Sequence, residues 1–164
     1  MTQDQAFEAV KTSRVRGRVI AGAMATAAVA WFALVVLAPA LPAALAAAVY
    51  TMGSLICHQL PDRSFHWHGA QLAVCARCTG IYLGACASAF LAPLPPAVYA
   101  RWGAPYRIAW LLGAASLPMA VTLAAEWLGV WEPSSIVRAA TGVVLGTAAA
   151  LTLIAAVGWP TAAK

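Results

Sequence analysis

Charged residues are scarce in this chain, where five acidic and ten basic side chains make up 9% of 164 residues. A soluble globular domain carries roughly 25% charge, so this sequence could not cover a compact particle with polar surface. Hydrophobic residues make up 63% of the chain, and this excludes intrinsic disorder because disordered segments are poor in apolar residues. Together with a mean hydropathy of +0.80, these values predict an integral membrane protein.

Several functional signatures are also missing. The sequence has no nucleotide-binding loop, no serine–histidine triad arrangement and no repeated acidic residues along a translocation path. Nucleic-acid binding is not expected despite the net charge of +5, because the basic residues are scattered and most lie at the ends of apolar runs. Basic residues in such places orient membrane proteins, so the partner they indicate is the lipid bilayer.

Four apolar stretches are long enough to cross a bilayer, which takes about 20 residues. The sequence therefore predicts an all-α, four-helix transmembrane bundle that forms a single domain over 1–164. Its expected parts are a basic tail at 1–18, spanning helices at 19–38, 72–92, 108–128 and 136–157, and a Cys/His loop at 57–71. The apolar segment Leu41–Ile56 reaches only about 24 Å as a helix, so we expect it to be re-entrant or interfacial.

Charge does not decide which membrane side carries the Cys/His loop. Four spans place seven basic residues inside and three outside, and a fifth span at Leu41–Ile56 gives the same ratio. Length favours four spans. We therefore expect a multi-pass protein of the bacterial cytoplasmic membrane, with its N-terminus inside and the loop outside.

Histidine and cysteine concentrate in one window of the chain. All three histidines and three of the four cysteines lie there: Cys57, His58, His66, His68, Cys75 and Cys78. Cys75 and Cys78 are three residues apart, so at the start of a helix they project from one face. A helix N-terminus and the neighbouring Arg77 both stabilise thiolates. Such a pair suits either metal binding or dithiol redox chemistry.

Two strings in this region resemble a known family signature. The strings ICHQLPDRSF (56–65) and VCARCTGIYLG (74–84) are similar to the motifs CHQxPxRSF and VCARCTGIYxG of the domain-of-unknown-function 2085 family of bacterial membrane proteins. Later parts of the family pattern correspond to Glu126 and to RAATG at 138–142. The chain departs from the pattern at Ala70, often His in the family, and at Glu126, commonly Asp. The resemblance implies a multi-span membrane protein but no particular reaction.

The first hypothesis for the cluster is a metal site. Cys57, His58, Cys75 and Cys78 would form a Cys₃His set whose spacing is within the range of tetrahedral zinc sites. His66 or His68 could replace His58, because adjacent residues often cannot both face one ion. Zinc is the expected metal.

Two other interpretations remain open. A Cys75–Cys78 pair near the end of a spanning helix resembles the quinone-linked disulfide oxidases and vitamin K epoxide reductase, with a quinone as ligand. Those proteins use a second cysteine pair, whereas this loop offers only Cys57. The cysteines could instead be buried structural residues. The protein would then be a metalloenzyme acting on a lipid or amphiphile, a thiol oxidoreductase, or a non-enzymatic scaffold or carrier.

Ionisable residues in apolar helices are functional candidates by default. Glu126 and Arg138 are expected at the same membrane surface as the cluster. There Glu126 could act as a general base and Arg138 could hold an anionic group, while Arg63 and Arg77 are further candidates. The alternative is an interfacial salt bridge that orients helix ends.

Small residues indicate where helices approach closely. Gly80 and Gly84 form one GxxxG motif and Gly142 and Gly146 another, and this spacing favours helix packing and could also support a homo-oligomer. The fourth cysteine, Cys86, lies about 12 Å along the helix from Cys78, so we expect it to serve packing.

Overall fold

The computed structural model describes residues 3–91 and 105–158. This part of the chain is mostly helical. It contains helices α1 (Gln3–Leu37), α2 (Ala43–Ser54), α3 (Ala76–Leu91), α4 (Pro105–Trp127) and α5 (Ser135–Gly158), with the antiparallel strands β1 (Ser64–Trp67) and β2 (Ala70–Cys75). Short 3₁₀ turns occur at Ala38–Ala40 and Pro61–Arg63.

Three helices in the described ranges are long and apolar enough to cross a membrane, at Val15–Ala40, Arg107–Trp127 and Ser135–Ile154. These match the first, third and fourth predicted spans. The prediction of four such helices is wrong for the described residues, because α3 extends over only 16 residues there. A helix of that length rises about 24 Å, less than a hydrocarbon core of about 30 Å.

The predicted helix 72–92 begins four residues late because its first residues form a strand. His68 and Gly69 both have positive φ, 50° and 82°, which is the conformation of a two-residue type I′ turn. The turn reverses the chain, so Trp67 pairs with Ala70 and a short hairpin forms. The apolar residues 72–74 are buried as part of β2, and the helix starts at Ala76. The expected loop 57–71 thus includes a 3₁₀ turn and β1.

The observed boundaries of the N-terminal segment and of α2 lie closer to the predicted ones. The basic tail predicted at 1–18 is helical from Gln3, and Glu8 and Lys11 form an ion pair on its exposed face. The segment predicted as a short helix at Leu41–Ile56 forms α2 over Ala43–Ser54, which is 12 residues long. It follows the prolines that end α1 and is too short to span a bilayer.

The two GxxxG motifs face each other in one chain. A Cβ atom on Gly80 would overlap the carbonyl oxygen of Ala139, and one on Gly146 would overlap the carbonyl oxygen of Ile81. Gly84 and Gly142 meet the opposite helix backbone in the same way. Helices α3 and α5 therefore pack backbone to backbone. Homo-oligomerisation stays a prediction, and these glycine faces are already occupied by each other.

One end of the bundle gathers the chemically distinctive residues. Val35, near the end of α1, packs with Cys57 and Val74, and Ala38 packs with Val49 of α2 and Ala73 of β2. The hairpin therefore lies against the end of α1. Because β2 runs directly into α3, this packing fixes where α3 begins.

Candidate metal centre

Three cysteine sulfurs converge at this end of the bundle. The Sγ atoms of Cys57, Cys75 and Cys78 all lie within 4.8 Å of one another. Cys57 is buried, and the other two are half-buried. In the structure all three are free thiols. Residues separated by up to 21 positions thus form one compact sulfur cluster.

Backbone structure places each sulfur. Cys57 directly follows the C-terminal turn of α2, where its N–H donates to the carbonyl oxygen of Gly53 at 3.0 Å. Cys75 ends β2, and Cys78 lies in the first turn of α3. The N–H groups of Gln59 and Cys75 donate to Cys57 Sγ at 3.4 and 3.1 Å. Hydrogen bonds to a ligand atom orient it and tune any bound metal.

The cluster favours an anionic sulfur at Cys75. A hydrogen bond from the Cys78 side chain lowers the pKa of Cys75 to about 5, and burial opposes this shift. Thiolates, rather than thiols, are both metal ligands and nucleophiles. A thiolate at Cys75 suits both metal binding and attack on an electrophile.

Apolar and aromatic groups enclose the sulfurs on the protein side. Val35 and Val74 are fully buried against Cys57, and Trp31 and Tyr82 pack on the same group. The two rings meet edge to face, with centroids 6.1 Å apart and an interplanar angle of 84°. These groups give the sulfur cluster an apolar wall on the protein side.

The histidines predicted as ligands lie elsewhere. His58, His66 and His68 are exposed, and within residues 3–91 and 105–158 no histidine or carboxylate joins the cysteine group. The Cys₃His set with His58 as fourth ligand is therefore not assembled in this structure, and His66 and His68 do not replace it. The reason is that Cys57 is buried while the adjacent His58 is exposed, so the two neighbouring side chains do not face one site. The chain then turns at Gln59, which has a φ of 50°.

A network of amide and hydroxyl groups fixes that turn. Gln59 Nε2 donates to the carbonyl oxygens of Tyr50 and Ala73, at 2.8 and 2.6 Å. Gln71 Nε2 donates to the carbonyl oxygen of Gln59 and to Ser64 Oγ, at 2.6 and 3.1 Å. The Tyr50 hydroxyl donates to the carbonyl oxygen of Gln71. Sequence reasoning missed the two glutamines, although the CHQ string contains Gln59.

A second polar cluster lies between the helix ends. Glu126, near the end of α4, has a side chain only 1% exposed and receives three arginines. Arg77 Nη2 lies 2.5 Å from Oε2, while Arg138 Nη2 and Arg63 Nε lie 3.0 and 2.9 Å from Oε1. The structure thus brings together the predicted pair Glu126 and Arg138, and adds both further candidates. Arg77 also lies between Cys75 and Cys78 in the chain.

The charge in this second cluster is not balanced by the groups that form it. Three guanidinium groups surround one carboxylate, and the Nε atoms of Arg77 and Arg138 are buried without a hydrogen-bond partner in the structure. Buried charges are normally paired. A further anion would therefore stabilise this cluster.

The fourth cysteine is separate from the site. Cys86 is buried, and its Sγ donates to the carbonyl oxygen of Ala28 in α1 at 3.3 Å. It thus joins α3 to α1 and does not belong to the sulfur group.

The fold and this site define a multi-pass membrane protein with three converging cysteines that could hold a metal ion. The chain belongs to the family of predicted membrane proteins called DUF2085, whose pattern it matches over residues 57–152. The predicted resemblance is therefore confirmed. The matched range includes all three clustered cysteines and the four members of the arginine cluster.

Two archaeal proteins are similar to this chain. An uncharacterized protein of Methanocaldococcus jannaschii is 37% identical over 100 residues, which cover 60% of this chain and 61% of the relative. One of Methanothermobacter thermautotrophicus is 36% identical over 91 residues, which cover 56% and 78%. The aligned part spans less than two thirds of the first relative. Both of these relatives are archaeal, so the bacterial part of the predicted location stays a prediction. No solved structure matches the chain.

Proposed function

We propose that the protein is a membrane metalloprotein that binds one zinc ion through Cys57, Cys75 and Cys78. The observation that carries this proposal is the convergence of three sulfurs within 4.8 Å. Zinc–sulfur bonds of about 2.3 Å place the sulfurs of a tetrahedral site about 3.8 Å apart. The sulfur atoms would therefore need to move only about 1 Å closer together to coordinate zinc. Soft sulfur donors select zinc, copper(I) or iron–sulfur clusters over magnesium or calcium.

The number of protein ligands points to catalysis. Structural zinc sites have four protein ligands, whereas catalytic sites have three and leave one position open. The three sulfurs lack a fourth protein donor among the described residues. A zinc ion held in this way supplies a Lewis acid that polarises an oxygen of the substrate. Cys57, Cys75 and Cys78 then hold the ion, and the wall of Trp31 and Tyr82 excludes water from the bundle side.

The surroundings favour a lipid or small amphiphile as substrate. Leu55 and Ile56 directly precede Cys57, yet they are 81% and 62% exposed. Exposed apolar side chains beside a polar site suit contact with acyl chains at a bilayer surface. The protein would act in the cytoplasmic membrane, with the reacting group of its substrate at headgroup depth. Glu126 and Arg138 are the proposed catalytic pair. Arg138 would hold an anionic group of the substrate, and Glu126, whose side chain is 1% exposed, would orient it.

Metal analysis of single-cysteine variants tests the metal site. The full chain, purified in mild detergent, should contain close to one equivalent of zinc by elemental analysis. Cys57→Ser, Cys75→Ser and Cys78→Ser should each lose it. Cys86→Ser is the matched control, because Cys86 lies outside the sulfur group, and this variant should keep the metal.

His58→Ala distinguishes an open site from a closed one. X-ray absorption of the zinc protein should show three sulfur ligands and one lighter donor, and His58→Ala should leave both spectrum and zinc content unchanged. Loss of zinc in His58→Ala would identify a closed Cys₃His site and a non-enzymatic scaffold. Metal-free protein with a stable Cys75–Cys78 disulfide would overturn the metal proposal.

A thiol oxidoreductase is the second candidate, and the lowered pKa of Cys75 favours it. Cys75 and Cys78 would form a disulfide and release two protons and two electrons, which reduce a membrane quinone to a quinol. Thiol counting before and after addition of a soluble quinone tests this candidate. The Cys78→Ser variant should then abolish the quinone-dependent loss of thiols, and Cys86→Ser should not.

A further inference from the structure

The arginine cluster has more positive charge than its one carboxylate can balance. Arg77 and Arg138 have side chains 10% and 7% exposed, so water hydrates them little. With Arg63 they surround Glu126, and two positive charges remain. Taking unpaired charges out of water is strongly unfavourable. A second anion bound at this cluster would offset the positive charge that the salt bridges leave over.

Unpaired hydrogen-bond donors in the arginine cluster are a second, independent indication that it binds an anion. Each guanidinium group has five N–H donors in a fixed fork. The Nε atoms of Arg77 and Arg138 are buried and have no hydrogen-bond partner in the structure. Glu126 already receives one contact from each arginine, and its two oxygens offer few further acceptor positions. An added group must therefore bring several acceptor oxygens.

Two helix N-termini add positive potential. Arg77 lies in the first turn of α3, and Arg138 lies in the first turn of α5. The N-terminal ends of helices have partial positive charge and free N–H groups that favour anions. Arg63, on the 3₁₀ turn before β1, is 37% exposed, which makes it the member of the cluster that solvent or lipid can reach.

We propose that Arg63, Arg77 and Arg138 form a binding site for a phosphate group, with Glu126 as the fixed counter-ion that orients the guanidinium groups. Arginine forks match the geometry of phosphate oxygens, and such hydrogen bonds are stronger than neutral ones. This phosphate site is separate from the proposed metal centre, and the proposal does not depend on metal binding. Where the proposed function holds, the substrate has a phosphate group.

The neighbouring surface favours a lipid headgroup as the source of the phosphate. Trp127 and Leu128 follow Glu126 and are 78% and 77% exposed, and Ile136 near Arg138 is 74% exposed. Tryptophan and apolar residues of this kind lie at the membrane interface, where lipid phosphates are found. A soluble phosphate has the same recognition chemistry, so the test includes both.

The experiment measures the melting temperature of the full chain in dodecyl maltoside micelles, which contain no phosphate, at constant ionic strength. One series adds inorganic phosphate and a second adds phosphatidic acid, with oleic acid as an anionic lipid that lacks phosphate. A ligand that binds the folded state raises the melting temperature with saturation. We expect saturable stabilisation by phosphatidic acid and none by oleic acid.

Arg63→Gln is the test variant, because Arg63 is the most exposed member of the cluster. It should weaken the apparent affinity roughly 10-fold to 100-fold, the value of a charge-assisted hydrogen bond. Arg18→Gln, on the exposed face of α1, is the matched control and should leave the affinity unchanged. Arg63→Lys keeps the positive charge but lacks the forked guanidinium group, so it should cause an intermediate loss of affinity. This variant replaces Arg63→Gln in the measurement if Arg63→Gln does not fold.

Each possible result of the melting-temperature experiment either supports or overturns the phosphate site. Saturation by phosphatidic acid alone identifies a lipid phosphate, saturation by inorganic phosphate identifies a soluble one, and either supports the site. Stabilisation by neither ligand, or an equal response in Arg63→Gln and the unsubstituted chain, would overturn it. Zinc content is measured on the same samples, so a metal-free protein that responds to phosphate refutes only the proposed metal function.

Discussion

Arg77 Nη2 lies 2.5 Å from Glu126 Oε2, so the first turn of α3 is joined to the last turn of α4 across 49 positions of sequence. Arg138, in the first turn of α5, donates to the other oxygen of the same carboxylate at 3.0 Å. One buried carboxylate therefore connects three helix ends. The arrangement makes Glu126 the counter-ion of the arginines, and its role as a general base stays a prediction.

Removal of the Glu126 charge should destabilise the protein. Glu126→Gln leaves three arginines without their counter-ion, and breaking a buried ion pair in this way costs about 3–5 kcal/mol. Thermal unfolding followed by tryptophan fluorescence measures the loss. Glu132→Gln is the control, because Glu132 is exposed and should give little change. The double variant Glu126→Gln, Arg138→Gln should recover part of the stability, and unchanged stability in Glu126→Gln would contradict the counter-ion role.

The contact between α3 and α5 should not tolerate a methyl group. A Cβ at Gly146 would overlap the carbonyl oxygen of Ile81, so Gly146→Ala forces the two helices apart. We expect a loss of about 1–3 kcal/mol in unfolding free energy, the usual cost of overpacking. Gly113→Ala in α4 has open space and should be neutral or slightly stabilising, since alanine favours helix. Equal melting temperatures for the two variants would refute the close contact.

Gln59 should influence metal retention without being a ligand. Gln59→Ala removes the two hydrogen bonds that hold the turn after Cys57 against Tyr50 and Ala73. Loss of a group that positions a ligand lowers metal affinity about 10-fold to 100-fold. Competition with a chromogenic chelator measures this change. His66→Ala is the control, and a chelator curve for Gln59→Ala that overlays the unsubstituted protein would show that the turn does not position Cys57.

The alkylation of Cys75 should follow an unusually low pH midpoint. Its pKa is lowered to about 5 by the hydrogen bond from Cys78, so the reactive thiolate is present above that pH and disappears only as the pH falls through 5. Iodoacetamide labelling of metal-free protein, read at Cys75 by mass spectrometry, measures the profile. Cys78→Ala removes the donor and should move the midpoint toward the ordinary value of about 8.5. A midpoint near 8.5 before substitution would refute the interaction.

The two ends of α1 should lie on opposite sides of the membrane. Lys11 precedes the apolar span Val15–Ala40, and Asp62 lies beyond it on the exposed turn before β1. In intact cells, an impermeant maleimide should label only one of Lys11→Cys and Asp62→Cys, and the basic N-terminus favours Asp62→Cys as the outer position. The unsubstituted chain gives the background from its own cysteines. Labelling of both variants before permeabilisation would mean that α1 does not cross.

The predicted and observed folds agree where hydrophobic length decides the outcome. The spans near 19–38, 108–128 and 136–157 are helices because an apolar run of about 20 residues has few alternatives in a bilayer. The hairpin was missed because residues 72–75 are as apolar as a helix, and only the His68–Gly69 turn separates them from β1. His–Gly is a weaker turn signal than Asn–Gly, so composition favoured a helix.

The site was predictable in its cysteines and less so in its geometry. The concentration of cysteines in one short window indicated that Cys57 joins Cys75 and Cys78, and the three sulfurs do converge, although Cys75 ends β2 and does not lie in the helix. The sequence could not show that Cys57 is buried while the adjacent His58 is exposed. The sequence also could not show that three arginines contact Glu126, because Arg63 lies on a turn that is far from α4 in the chain.

The missing side chain at Gly142 has a mechanical consequence. The carbonyl oxygen of Arg77 rests directly against this glycine, so no flexible side chain separates the backbone of α5 from the turn of α3 that contains both Arg77 and Cys78. Close-packed backbones transmit displacement instead of absorbing it. A displacement of α5 is therefore passed to the first turn of α3, which holds Arg77 of the arginine cluster and Cys78 of the sulfur cluster, so the two sites share one support.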